Sequence, residues 1–174
     1  VNRPSSVVKE MMENAIDAGA RSVKVNYRDG GKELIQIVDD GCGMSPEDAK
    51  LSIVRHATSK IQTADNIYHI SSLGFRGEAL ASIASISRMT ITTRTKDSEE
   101  GTAVRVEGGE VKSVAPAGAP TGTTVEAADL FYNVPARKKF LRMIILNPLM
   151  PKGMTTENTL TKLFVMSPRL FTTR

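Results

Sequence analysis

Three features of the sequence predict an α+β fold built in layers. Two well-signalled helices stand in the first 55 residues, a third follows near residue 80, and beyond it short alternating segments are joined by glycine-rich turns. Helices followed by hairpin-connected strands favour this arrangement over a doubly wound parallel sheet. The 174 residues, 40% of them hydrophobic, suffice for one domain with a real core.

Each element has its own signal. Pro4-Ser5-Ser6 opens the first helix, and Val7, Val8, Met11, Met12, Ala15 and Ile16 recur at helical spacing. Gly19 ends it in the C′ manner. Ser22–Tyr27 alternates as a half-buried strand, Asp29-Gly30-Gly31 turns the chain, and Leu34–Val38 returns as the second strand of a hairpin. Asp39 to Met44 is too glycine-rich to continue it. Ser45-Pro46-Glu47-Asp48 then supplies an N-cap, a proline at the first helical position and two acids in the first turn. That helix is expected to reach about Arg55. Thr58–Gly77 lacks a period and reads as a mobile loop or lid, and Glu78–Ile86 reads as a tightly packed helix. Strands are expected at Met89–Thr95, Ala103–Glu107, Val111–Ala115 and Thr123–Ala127. The tail after Arg142 has no consistent period.

Composition narrows the classes. With 13 Gly, 8 Pro and 1 Cys, collagen, low-complexity and disulfide-scaffold chains are excluded. No apolar run approaches the roughly 18 residues needed to span a bilayer, and no signal-peptide pattern opens the chain. A reducing, cytoplasmic setting without a membrane is the expectation, and Cys42 cannot form an internal disulfide. The net charge of +4 is a poor argument for nucleic acid. Residues 1–142 hold 19 basic and 18 acidic side chains, whereas 143–174 hold four basic and one acidic, with half of the eight Met. The chain starts at Val1 with its first helix signal almost at once, so a fragment is expected.

Three segments can carry chemistry. Glu10, Asn14 and Asp17 fall within roughly 60° of one another on the first helix, beside its apolar stripe. A carboxylate there can act as a general base for water, and an Asn oxygen is a hard ligand suited to Mg²⁺; the alternative is a solvated flank. Asp39-x-Gly41-x-Gly43 offers an acceptor for an exocyclic amine and close backbone approach for a flat ring, or else is an ordinary Asp/Gly turn. Gly74-Phe75-Arg76-Gly77-Glu78 runs directly into a helix, where backbone N–H groups can cradle phosphate, or simply starts a helix after a loop. The G-x-x-x-x-G-K-[ST] phosphate loop is absent. His56, His69 and Cys42 match no zinc spacing. Arg137, Lys138, Lys139 and Arg142 form a basic cluster that suits a DNA backbone or a solvated connection.

Taken in order, these segments resemble the MutL family of DNA mismatch repair proteins. The resemblance rests on Lys9 to Gly19, on Asp39-Asp40-Gly41-Cys42-Gly43, on His56-Ala57-Thr58-Ser59-Lys60, and on Gly74 to Leu80. Gly122-Thr123-Thr124 and Asp129 to Leu141 extend it. The E-x-x-x-N and D-x-G-x-G elements are shared with type II topoisomerases, Hsp90 chaperones and histidine kinases. The His-Ala-Thr-Ser-Lys and Gly-Phe-Arg-Gly-Glu-Ala-Leu strings are specific to MutL-like proteins. The likeness covers residues 1–142 and implies the Bergerat ATP-binding fold, a two-layer α/β sandwich whose mixed, mostly antiparallel sheet is covered by helices on one face.

The resemblance also implies roles. Glu10 would activate the attacking water and Asn14 would coordinate Mg²⁺. Asp39 would contact the adenine amino group, with Gly43 giving the ring room and Thr124 supporting the same network. Thr58, Ser59 and Lys60 would begin an ATP lid. Gly74, Phe75, Arg76, Gly77, Glu78, Ala79 and Leu80 would wrap the phosphates, although Arg76 could equally pair with a local carboxylate. ATP binding would order the lid and drive homodimerisation through the N-terminal regions, signalling to a MutS-type mismatch recognition protein, with weak, non-specific contact to DNA.

The sequence departs from the family in two ways. The arm preceding Val1 and the second domain with its phosphate-contacting lysine are missing, so a module that binds ATP and Mg²⁺ without significant hydrolysis is an alternative, as is a DNA-contacting fragment. From Met143, two prolines, Pro148 and Pro151, interrupt the family's long helix. Residues 143–174 are therefore expected to be a non-family tail, out of frame or poorly ordered.

Overall fold

The alternating strand patterns meet in register to make one face of a sheet. In a computed structural model, the described residues are 3–54, 77–140 and 160–165. Along the chain they form α1 (Pro4–Asp17), β1 (Ser22–Arg28), a 3-10 turn (Asp29–Gly31), β2 (Leu34–Asp39) and α2 (Pro46–Leu51). Then come α3 (Gly77–Ala84), β3 (Arg88–Arg94), β4 (Gly101–Glu107), β5 (Glu110–Ala117), β6 (Gly122–Ala128), α4 (Pro135–Phe140) and β7 (Leu160–Val165). The sheet order is β5-β4-β3-β6-β2-β1-β7. Each pairing among the described residues is antiparallel, as the expectation of a mostly antiparallel sheet has it.

Cross-strand partners project to the same side of a sheet, and here they align in rows. Tyr27, Ile35, Ala127, Met89 and Val106 form one row, and Val25, Ile37, Val125, Ile91 and Val104 the next. All ten are buried in the core together with Val7, Val8, Met11 and Ala15 of α1 and Leu80, Ile83 and Ala84 of α3. Helix α1 packs on β1, β2 and α3, α3 on β3, and α2 on β4. The third row is Val23, Asp39, Thr123, Thr93 and Thr102. Four of its five members are polar, so the inner face loses its apolar character at this end.

The opposite face carries polar side chains at the middle of its strands. Asn26 Nδ2 donates to Gln36 Oε1 at 2.5 Å, and Gln36 Nε2 donates to Glu126 Oε1 at 2.6 Å. Strand β5, at the sheet's edge, is exposed along almost its whole length.

The helices differ from the sequence reading chiefly at their ends. Helix α1 closes in a Schellman motif, with Gly19 N–H on the Ile16 carbonyl and Ala20 N–H on that of Ala15. Helix α2 has the expected cap, Ser45 Oγ accepting from Asp48 N–H at 3.1 Å, yet stops at Leu51 instead of reaching Arg55. Helix α3 stops at Ala84, two residues before the expected Ile86. Carbonyls at its end are taken from outside the helix: Gly109 N–H donates to Ala84, Asn133 Nδ2 to Ser85 and Phe131 N–H to Ile86.

The segment after β6 is anchored in the same way. Asp129 and Phe131 adopt left-handed backbone angles, φ 51° and 63°, each costing about 1–3 kcal/mol. Burial offsets this, because Leu130 and Phe131 are fully enclosed, worth about 1.5–3 kcal/mol each.

Within the tail, one stretch is described. Residues 160–165 pair with β1 from Ser22 to Tyr27 as its outer neighbour. The physical reason is that β1 pairs with β2 along one edge only and offers its other edge to a further strand.

Candidate functional site

Helix α1 supplies the first part of the site. Its apolar stripe, Val7, Val8, Met11 and Ala15, is buried, which leaves Glu10 and Asn14 half-buried one turn apart at the stripe's border. Among the described residues, neither side chain takes part in a hydrogen bond or ion pair. The Asn14 Nδ2 atom is buried without a partner. A buried amide left unsatisfied costs about 1–3 kcal/mol, so the helix presents a polar group whose partner must come from elsewhere. Asp17 is exposed and has a partner.

The loop after β2 is tied to the end of this helix. Cys42 N–H donates to the Ala18 carbonyl at 2.9 Å. A Cβ on Gly41 would meet the Ala18 Cβ and carbonyl oxygen, each at 2.8 Å. Ala18 lies four residues beyond Asn14, about 6 Å along the axis, so Asn14 and the loop are neighbours. A Cβ on Gly43 would collide with the carbonyl oxygen of Arg94 at the end of β3.

Two adjacent aspartates divide the work. Asp39, expected in the loop, is the last residue of β2 and stands opposite Val23 and Thr123. Burial pushes its carboxyl above the ordinary aspartate range, while the backbone N–H groups of Gly41 and Thr123 pull it partly back. The Gly41 N–H lies 2.9 Å from Asp39 Oδ1. Asp40 accepts from the N–H groups of Ser22 and Arg21 at 2.8 and 2.7 Å, and the Ser22 bond above all holds its carboxyl below the usual range. Asp40 is thus a backbone clamp, and Asp39 is a half-buried acceptor.

Thr124 is corrected by the register. It pairs with Val38 and Thr92, which puts it on the face opposite Asp39. Its neighbour Thr123 shares the row of Asp39 and Thr93, so the one-residue choice decides the face. Sequence reasoning also missed Thr93. Fully buried, its hydroxyl accepts from Met44 N–H at 2.9 Å, donates to the Gly122 carbonyl at 3.0 Å and lies 3.0 Å from Thr123 Oγ1. A polar residue at the inward phase of an apolar strand was the available signal.

The remaining expected residues divide by place. Gly77 and Glu78 begin α3, Ala79 is half-buried, and Leu80 is in the core beside α1. Thr58, Ser59, Lys60, Gly74, Phe75 and Arg76 lie outside the described residues. Among the described residues no group of three His, Cys, Asp or Glu side chains could hold a metal ion, and no helix is long and apolar enough to cross a membrane. Arg137, Lys138 and Lys139 are exposed on α4.

The half-buried Asp39 carboxylate thus ends a strand on the face covered by α1, which carries the half-buried Glu10 and Asn14. The family described as histidine kinase-, DNA gyrase B-, and HSP90-like ATPase matches residues 2–126. The chain belongs to this family of ATPases. Within it, the chain is homologous to the N-terminal ATPase region of the DNA mismatch repair protein MutL. It is 54% identical over 142 residues to MutL of Heliobacterium modesticaldum, covering 82% of this chain and 22% of that protein. To MutL of Proteus mirabilis it is 55% identical over 143 residues, covering 82% and 21%. The chain thus spans about a fifth of these relatives. Among solved structures it is similar to the Aquifex aeolicus MutL ATPase domain complexed with ADP, with TM-score 0.63, 34% identity, and coverage of 81% of this chain and 48% of that one. The N-terminal domain of a DNA repair protein gives TM-score 0.68 and 31% identity, with coverage of 82% and 41%.

Proposed function

We propose that this chain binds ATP with Mg²⁺ and hydrolyses it slowly, as the nucleotide-binding part of a cytoplasmic mismatch repair protein. The observation that carries the reading is the pairing of Asp39, a half-buried acceptor in register with Thr123, with the uncommitted Asn14 and Glu10 on the helix tied to the same loop. Asp39 accepts from the adenine amino group. Asn14 would hold the ion through its side-chain oxygen, and its buried Nδ2, which lacks a partner, is a donor suited to a phosphate oxygen. When bound, Mg²⁺ neutralises charge on the phosphate oxygens. Glu10 takes the proton of the attacking water as general base. The start of α3 offers backbone N–H groups to the phosphates, and Thr58, Ser59 and Lys60 begin the lid.

In the longer protein, ATP binding orders that lid and joins two N-terminal regions into a homodimer, an order–disorder switch read by a MutS-type partner. The exposed Arg137, Lys138 and Lys139 suit weak, non-specific contact with DNA phosphates.

Calorimetric titration with a non-hydrolysable ATP analogue, with and without Mg²⁺, tests the reading. Magnesium-dependent binding lost in Asp39→Ala and Asn14→Ala is expected; no binding by the folded chain overturns it. Glu10→Ala should lower turnover while sparing affinity. Wild-type turnover no greater than that of Glu10→Ala would instead make the chain a binding module.

A further inference from the structure

We infer that Thr93 is a positioning residue for nucleobase selection: by taking the proton of the Thr123 hydroxyl, it makes that oxygen an acceptor and biases the site toward a 6-amino over a 6-oxo purine. The inference rests on the reading of Asp39 as the base-contacting group.

Proton counting on the Thr93 hydroxyl carries it. A threonine hydroxyl has one proton to give and two lone pairs to receive. Met44 N–H, 2.9 Å away, can only donate to it. The Gly122 carbonyl, 3.0 Å away, can only accept, so the single Thr93 proton is spent there. The third neighbour, Thr123 Oγ1 at 3.0 Å, must then be the donor. Thr93 is fully enclosed, so no water competes for these bonds and the arrangement is saturated.

The consequence falls on Thr123. Its own proton is committed to Thr93, and its oxygen keeps two lone pairs and nothing to donate. Thr123 stands directly across the β2–β6 ladder from Asp39. The ionised Asp39 carboxylate is likewise an acceptor only. Two acceptors side by side match an exocyclic amino group, which brings two protons, and leave a carbonyl oxygen facing lone pairs. A site whose polar groups are fixed in this sense rejects the wrong partner because it cannot turn to meet it. Thr93 never touches the base; it removes the freedom of Thr123 to rotate and donate.

The test is calorimetric titration of the whole chain with ADP and with inosine diphosphate, which differ by 6-amino against 6-oxo. Wild type should prefer ADP. Thr93→Val keeps the shape and releases the Thr123 proton, so it should narrow the preference about tenfold, mainly by improving inosine diphosphate relative to ADP. Thr93→Ser should restore the wild-type ratio. Thr123→Val should narrow it too, and the double variant should narrow it no further. Equal weakening of both nucleotides in Thr93→Val, or an unchanged ratio, overturns the inference. Should Thr93→Val fail to fold by thermal melting, an unchanged ratio in Thr123→Val overturns it equally. Failure of the folded wild type to bind ADP removes the site reading itself, which the variants' ratios would not.

Discussion

The backbone N–H of Cys42 donates to the carbonyl of Ala18 at 2.9 Å, joining the last turn of α1 to the loop that follows β2. This one bond sets the distance between the helix that carries Glu10 and Asn14 and the strand end that carries Asp39. Gly41 lies at the closest point of that junction. Gly41→Ala brings a Cβ to 2.8 Å from the Ala18 Cβ and 3.0 Å from Asp39 Oδ1, an overpacking that should cost about 1–3 kcal/mol. Urea denaturation should show a lowered midpoint together with loss of nucleotide affinity; an unchanged midpoint would show that the junction can open without cost.

Asp39 and Asp40 should give opposite pH signatures. The Asp39 carboxyl is raised by burial, so the folded chain binds more protons than the unfolded one just above the ordinary aspartate pKa. Stability therefore falls as pH rises through that window. Asp39→Asn should be more stable than wild type at neutral pH without nucleotide, and the advantage should vanish on acidification. Asp40 is lowered, chiefly by the Ser22 N–H, so its contribution is present above the ordinary value and lost as pH falls through the folded pKa. Asp40→Ala should be destabilised at pH 7 and equal to wild type in strong acid. Melting temperatures across pH for both variants check the pair of signs.

The cap of α2 can be tested alone. Ser45 Oγ accepts from Asp48 N–H and donates to Asp48 Oδ2 at 2.8 Å. Ser45→Ala should cost about 1 kcal/mol, and Ser45→Asp, which keeps the acceptor, should recover part of it. Equal loss in both variants would place the contribution in packing instead of capping.

Core and edge should respond differently to the same kind of truncation. Ile37 lies in the middle buried row and is 1% exposed, so Ile37→Ala should cost about 2–5 kcal/mol. Val114 on β5 is 38% exposed, and Val114→Ala should stay within about 0.5 kcal/mol of wild type. Comparable losses by chemical denaturation would mean that β5 is covered in solution.

The sequence made some parts of this molecule legible and left others closed for identifiable reasons. The stripe of α1, the Ser45 cap and the alternation of β1 and β2 are local patterns, and local physics decides them. Asp39 and Asn14 stood out as parts of the Asp-x-Gly-x-Gly and Glu-x-x-x-Asn patterns, whose order along the chain carries the family resemblance. Thr123 and Thr124 could not be separated without the register, since a slip of one residue turns a side chain to the other face. Thr93 read as an ordinary strand threonine, because its three partners come from Met44, Gly122 and Thr123, at least 29 residues away. The early end of α3 was closed for the same reason: its carbonyls are claimed by Gly109, Phe131 and Asn133.

The position of β6 has a consequence for durability. It lies between β3 and β2, away from either sheet edge, and it holds Thr123 opposite Asp39. Amide protons on such a central strand exchange with solvent only in the rarest openings, those that dissolve the domain as a whole. A marginal rim such as β5 can fray, be clipped by a protease or melt first, and the strand that holds Thr123 opposite Asp39 keeps its shape until the last of the structure goes.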